Sequence, residues 1–153
     1  MNGLKRILLA ENDPRDVELT LKGLAEHRLA NEVFTVSNGE EALDYLHRRG
    51  PFSQRSEGLP AVVLLDLKMP LVSGLEVLHE LKADGRLRQI PVVVMTSSRE
   101  DRDLEECYRL GVNAYVVKPL GFQEFVEAAK TVGMFWALLN EPPLVCGGSV
   151  DST

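Results

Sequence analysis

Five short apolar runs alternate with five longer amphipathic stretches along the 153 residues, and this alternation constrains the fold more than any other feature. The runs are Arg6–Ala10, Val33–Val36, Ala61–Leu65, Val92–Met95 and Ala114–Val117. They are rich in Val, Leu and Ile and continuous rather than alternating, as strands buried on both faces read. The first helical pattern opens at Asp13-Pro14, a natural N-cap followed by a residue suited to the first turn, with Val17, Leu21 and Leu24 on one face. The second starts near Gly39 and carries Ala42, Leu43 and Leu46; the third carries Leu75, Leu78 and Leu81; the fourth carries Leu104, Cys107 and Leu110. The fifth runs from about Phe122 to Leu139, with Phe125, Ala129, Val132 and Trp136 in one stripe.

A fivefold βα alternation predicts an α/β fold, a doubly wound five-stranded parallel sheet with helices on both faces. Right-handed crossovers leave few topologies, and the flavodoxin-like order 2-1-3-4-5 is the one expected. Arg48–Gly58 reads as a polar loop ahead of the third strand. The chain divides into a domain over 1–132 and, over 133–153, an extension of the last helix with an arm or tail.

Composition excludes several classes. The formal charge of −6 and pI of about 5.1 argue against a nucleic-acid-binding module. No apolar run is long enough for a signal peptide or a membrane span. Two cysteines, Cys107 and Cys146, form no disulfide framework and lack metal-ligand spacing, which fits a reducing cytoplasm. Gly-rich phosphate loops are absent, and Ser97 and Ser98 have no paired base. His79-Glu80-Leu81-Lys82 lacks the proline expected of a kinase phosphoacceptor box, so His79 reads as an exposed helix residue.

Ligands of open α/β sheets bind at the carboxyl ends of the strands. Here those ends carry Glu11-Asn12-Asp13, Asp66, Thr96-Ser97-Ser98 and Lys118-Pro119. Taken singly, Asp66 could be a helix cap or a functional acid, Asp13 a cap, Thr96 a strand-end hydroxyl and Lys118 a surface lysine. Taken together they bring acids, a hydroxyl and an amine to one sheet edge. Two carboxylates side by side repel, and a divalent cation relieves that. Mg²⁺ suits oxygen ligands with retained waters, and Lys118 adds a point positive charge. A phosphoryl group between cation, Lys118 and Thr96, with Asp66 as the nucleophile, makes a phosphoryl-transfer site.

The strings LLAENDP, LLDLKMP, VVVMTSS and NAYVVKP, in this order and spacing, resemble the receiver domain of two-component response regulators over roughly Lys5 to Val132. The resemblance implies that Asp66 takes phosphate from a phosphohistidine on a sensor histidine kinase. It implies that Lys118 contacts the phosphoryl group and that Thr96 and Tyr115 form a switch pair. The metal ligands it implies are Glu11, Asn12, Asp66 and the main-chain carbonyl of Lys68, and it implies a cis Lys118–Pro119 bond. Receivers usually carry two acids at the end of the first strand; Asn12 stands at the second, so weaker Mg²⁺ binding is expected unless Glu11 or Asp13 reaches the metal. The ending FWxLLNEPP resembles single-domain regulators paired with phytochrome-type kinases. That implies a homodimer through a C-terminal arm bearing Phe135, Trp136, Leu139 and Pro142. Two alternatives stay open: a small phosphohydrolase using the same Asp, and a degenerate receiver that serves only as an interaction module. The missing second acid after Asp66 counts against the phosphohydrolase, and Asn12 alone supports the degenerate form.

Overall fold

The computed structural model describes residues 6–26, 32–55 and 58–134. Five parallel strands, β1 (Ile7–Ala10), β2 (Val33–Val36), β3 (Val62–Leu65), β4 (Val92–Thr96) and β5 (Ala114–Val117), form one sheet in the order 2-1-3-4-5. The helices are α1 (Pro14–Ala25), α2 (Gly39–His47), α3 (Gly74–Ala83), α4 (Asp101–Arg109) and α5 (Phe122–Gly133), with short 3₁₀ turns at Gly50–Phe52 and Leu87–Gln89. The order and the element count are those the alternation predicts.

Successive strand side chains point to opposite faces, so each strand feeds two cores. In β1, Leu8 and Ala10 pack with Leu46, Leu78 and Leu81 on one side. Ile7 and Leu9 pack with Leu24 and Val132 on the other. Leu19, Met95, Phe125 and Ala129 complete the second side between α1 and α5. β1, β3 and β4 are buried throughout, but β2 and β5 are only partly covered, because they are the sheet edges. The β2 edge is shielded by an aromatic group: Phe34 stacks on Tyr45 at 4.7 Å, Phe52 meets both edge-on, and the Arg55 guanidinium lies 4.0 Å from the Tyr45 ring.

Local chemistry sets the helix starts. Asp13 caps α1, its carboxylate accepting from the Arg15 N–H, with Pro14 at the first position. Asn38 caps α2 and Ser73 forms a capping box with Glu76 at α3. Two expected stripes are corrected. α1 buries Asp16, Leu19, Thr20, Gly23 and Leu24, leaving Val17 and Leu21 half-covered. α1 packs this face on α5 so closely that a Cβ on Gly23 would lie 2.5 Å from the Val126 carbonyl oxygen. α4 buries Cys107 alone, with Leu104 exposed and Leu110 partly covered. Burial also pushes the Cys107 thiol up to about 11, assisted by Asp103 and Glu106, which suits an inert core filler.

Every peptide bond among the described residues is trans, Lys118–Pro119 included. This corrects the cis bond that the family resemblance implies; an X–Pro bond still favours trans by about 0.5–1 kcal/mol. The described part of the fifth helix ends at Gly133, with Met134 as its cap. Phe135, Trp136, Leu139, Pro142 and Cys146 lie outside the described residues.

Candidate functional site

The sheet register places the site. Ala10 pairs with Leu65, so the next residues, Glu11 and Asp66, leave adjacent strands side by side. The ladder continues past both ends: the Asp66 N–H donates to the Ala10 carbonyl at 3.0 Å and the Glu11 N–H to the Val36 carbonyl at 3.0 Å. Thr96 pairs with Val117, and the Lys118 N–H donates to the Thr96 carbonyl at 2.8 Å. Four neighbouring strand ends, those of β1, β3, β4 and β5, thereby bring Glu11, Asp66, Thr96 and Lys118 to one edge.

All four are buried, as is Asp16. Lys118 Nζ lies 2.8 Å from Glu11 Oε1, 2.7 Å from Asp16 Oδ2 and 3.2 Å from Asp66 Oδ2. An ammonium has three donors, and three carboxylates take them. Full ionisation would leave three negative charges against one positive. The Glu11 carboxyl responds by rising to about 7: burial pushes it up, Asp66 adds repulsion, and the Lys118 contact only partly offsets both. Burial alone would lower the Lys118 pKa, but the hydrogen bonds to Asp16 and Glu11 and the charges of Glu11 and Asp66 hold it above the ordinary lysine value.

Asp66 is anchored to a tight loop. Its Oδ1 lies 3.4 Å from the Lys68 N–H, and the Gly74 N–H donates to the Leu67 carbonyl at 2.9 Å. Gly74 opens α3 directly behind this loop: a Cβ there would fall 2.1 Å from the Asp66 carbonyl oxygen. Only glycine permits that approach. Glu11 Oε2 accepts from the Asp13 N–H at 3.0 Å, which fixes the turn into α1.

On the other side of Asp66, the fully buried Thr96 leads into the β4–α4 loop. Thr96 Oγ1 accepts from the Ser98 N–H at 3.3 Å, and Tyr115 OH donates to the Ser98 carbonyl at 3.1 Å. Ser98 Oγ donates to Asp103 Oδ2 at 2.5 Å, at the start of α4. Burial raises the Tyr115 pKa, so the phenol remains a donor.

Glu11, Asp66, Thr96 and Lys118 are thus drawn together, and Tyr115 reaches Thr96 through Ser98. Asn12 and Asp13 are not: both are exposed, Asp13 serving as the α1 cap. His79 is an exposed α3 residue facing Glu106 at 3.0 Å. Sequence reasoning missed Asp16 and Gly74, and it discounted Ser98, which links Thr96, Asp103 and Tyr115. The available signal for Asp16 was a third acid in the Glu11–Asp16 run, placed one turn into α1.

Among the described residues no three His, Cys, Asp or Glu side chains enclose an ion position by themselves, since the carboxylates converge on Lys118 instead. The donor chemistry nevertheless fits a hard cation. Glu11 and Asp66 are oxygen donors with excess negative charge, and Mg²⁺ needs only one or two carboxylates because it keeps its waters.

This edge, with its paired acids, buried threonine and reaching lysine, lies within the segment matched by the family model for the response regulator receiver domain, residues 7–130. The chain belongs to the response regulator receiver family. It is therefore a signalling protein of the two-component class. Rcp1, a response regulator of Synechocystis sp., is 32% identical over 135 residues, covering 88% of this chain and 90% of its own. A structure of Rcp1 with Mn²⁺ bound superposes with a TM-score of 0.85 at 31% identity over 92% of this chain and 99% of that one. The phosphorylated cyanobacterial phytochrome response regulator RcpA is 36% identical with a TM-score of 0.85, covering 92% of this chain and 99% of that one. The bacteriophytochrome response regulator RtBRR is 58% identical with a TM-score of 0.73, over 92% of this chain and 84% of that one. Receivers bind a divalent metal, and phytochrome-related response regulators are among the relatives of this chain.

Proposed function

We propose that this receiver takes a phosphoryl group on Asp66, with Mg²⁺, from a sensor histidine kinase of the phytochrome type, and passes the signal on through its surface. One observation carries the reading most: Asp66 and Lys118 Nζ meet at 3.2 Å in a buried cluster beside Glu11 and Thr96. Glu11 and Asp66 would hold the metal, with the Lys68 carbonyl as a third oxygen. The metal would supply charge neutralisation at the phosphoryl oxygens. Asn12, exposed and uncharged, contributes least of the four implied ligands.

Asp66 Oδ is the attacking atom, Lys118 offers its ammonium to the incoming oxygens, and Thr96 offers a hydroxyl. Most of the catalysis is positioning and charge. Phosphorylation adds about −1.5 to −2 charge to a crowded edge. Thr96, Ser98 and Tyr115 are already linked, so a shift of Thr96 toward the new oxygens pulls on Tyr115 and on the start of α4. The protein serves as phosphoacceptor and switch rather than as a turnover enzyme. Its place is the cytoplasm, and among the described residues no helix is long and apolar enough to cross a membrane. Two copies are proposed to pair through the segment that follows α5, whose residues 135–153 lie outside the described residues.

The test is labelling with a small phosphodonor and Mg²⁺, read by intact mass. The parent gains one lasting phosphoryl group and Asp66→Asn gains none. Labelling retained in Asp66→Asn refutes the assignment, rapid multiple turnover supports the phosphohydrolase, and an unlabelled parent supports a degenerate receiver.

A further inference from the structure

The buried edge contains a carboxylate to which phosphoryl transfer assigns no task. Asp16 lies in the first turn of α1, outside the strand-end pair, and makes the shortest of the three contacts to Lys118, 2.7 Å against 2.8 and 3.2 Å. Its carboxylate is buried, and its main-chain carbonyl separately accepts from Thr20 Oγ1 at 2.8 Å. A cation that binds Glu11 and Asp66 draws on the same two carboxylates that the ammonium now contacts. Without another partner, Lys118 would compete with the metal for both. Asp16 is such a partner, and it stands on an element that the cation does not need.

We propose that Asp16 is a positioning residue for Lys118: it holds the ammonium on the α1 side so that Glu11 and Asp66 can turn to a divalent cation. The charge that Asn12 does not bring to the loop is supplied one turn further on. The inference rests on the metal-assisted phosphoacceptor reading and adds a device to it. Asp16 acts on the metal through Lys118, not by ligation. The alternative is that Asp16 merely stabilises the start of α1, as acids in a first turn do.

Mg²⁺ titrations by calorimetry separate these. Asp16→Asn keeps the shape and removes the charge. Its Mg²⁺ affinity should fall about tenfold, within the range of coupling between contacting groups. Asp13→Asn, which removes an exposed charge from the same run and keeps a good cap, should change affinity less than about twofold. The deciding measurement is the Asp16→Asn substitution repeated in a Lys118→Met background. If Asp16 acts through Lys118, its effect there vanishes. Parental affinity in Asp16→Asn overturns the proposal, and so does a tenfold loss that persists without Lys118, which would mark Asp16 as a direct ligand or a general charge. Failure of the broader reading looks different: the parent binds no Mg²⁺, or Asp66→Asn is still labelled.

Discussion

Replacing Lys118 by Met removes the ammonium and keeps most of the aliphatic stem, so the three carboxylates around it lose the cation that contacts all of them. The contacts span 2.7 to 3.2 Å. At an effective dielectric of about 20 each represents a gross attraction of about 5–6 kcal/mol. Most of this is offset by desolvation of the four groups and by repulsion among the acids. Removing one partner from a buried pair costs about 3–5 kcal/mol, and the loss expected here at pH 8 is about 4 kcal/mol. For a domain of this size that lowers Tm by about 10 °C. Without the ammonium, Glu11, already pushed up by burial and by Asp66, binds its proton more tightly still in the folded state than in the unfolded one. The Glu11 contribution to the variant's stability is therefore greatest below the ordinary carboxylate value and is lost as pH rises through the raised one. The assay is urea unfolding of parent and variant at pH 5 and pH 8, with and without Mg²⁺. The deficit should shrink to about half or less at pH 5, and Mg²⁺ should recover part of it at pH 8 by replacing the missing charge. Equal deficits at both pH values, with no effect of Mg²⁺, would show that the ammonium was not neutralising this cluster.

The Glu11 carboxyl, raised to about 7, gives the parent its own pH dependence. Its contribution is present below about pH 4.5 and is lost as pH rises toward 7, by at most about 3 kcal/mol, so urea midpoints of Glu11→Gln should decline less than those of the parent over that window. A decline as steep as the parent's assigns the effect to other groups. For the arm, light scattering should find a dimeric parent and a monomeric Phe135→Ser, Trp136→Ser variant. A double variant that stays dimeric removes the arm from the interface.

The strand order and helix count were legible because a continuous apolar run of four or five residues admits little else between amphipathic stretches. Glu11, Asp66, Thr96 and Lys118 were legible for a related reason: each directly follows or ends such a run, so topology alone carries it to the shared edge. Asp16 was not, because it belongs to a helix whose rotation about its axis the sequence left open. The stripe of Val17, Leu21 and Leu24 suggested one facing, whereas Gly23, pressed on Val126, turned α1 so that Asp16 and Leu19 face inward. Gly74 escaped notice because its role is a close backbone approach to Asp66, which no side-chain pattern encodes. The partial cover on β2 and β5 follows from their being edges, a property of sheet order rather than of composition.

The Lys118–Asp16 contact joins residues 102 positions apart, and the Lys118–Asp66 contact joins residues 52 apart. The acidic edge is therefore finished only when the last strand docks against β4. An amino-terminal fragment emerging during synthesis carries Glu11, Asp16 and Asp66 without their cation. Closing loops of this length has an entropic cost that only the completed sheet repays. The chain thus has a built-in order of events: assembly first, competence second, with the final strand carrying the group that makes the buried acids tolerable. An incomplete copy would present the acids without the geometry that the finished sheet gives them.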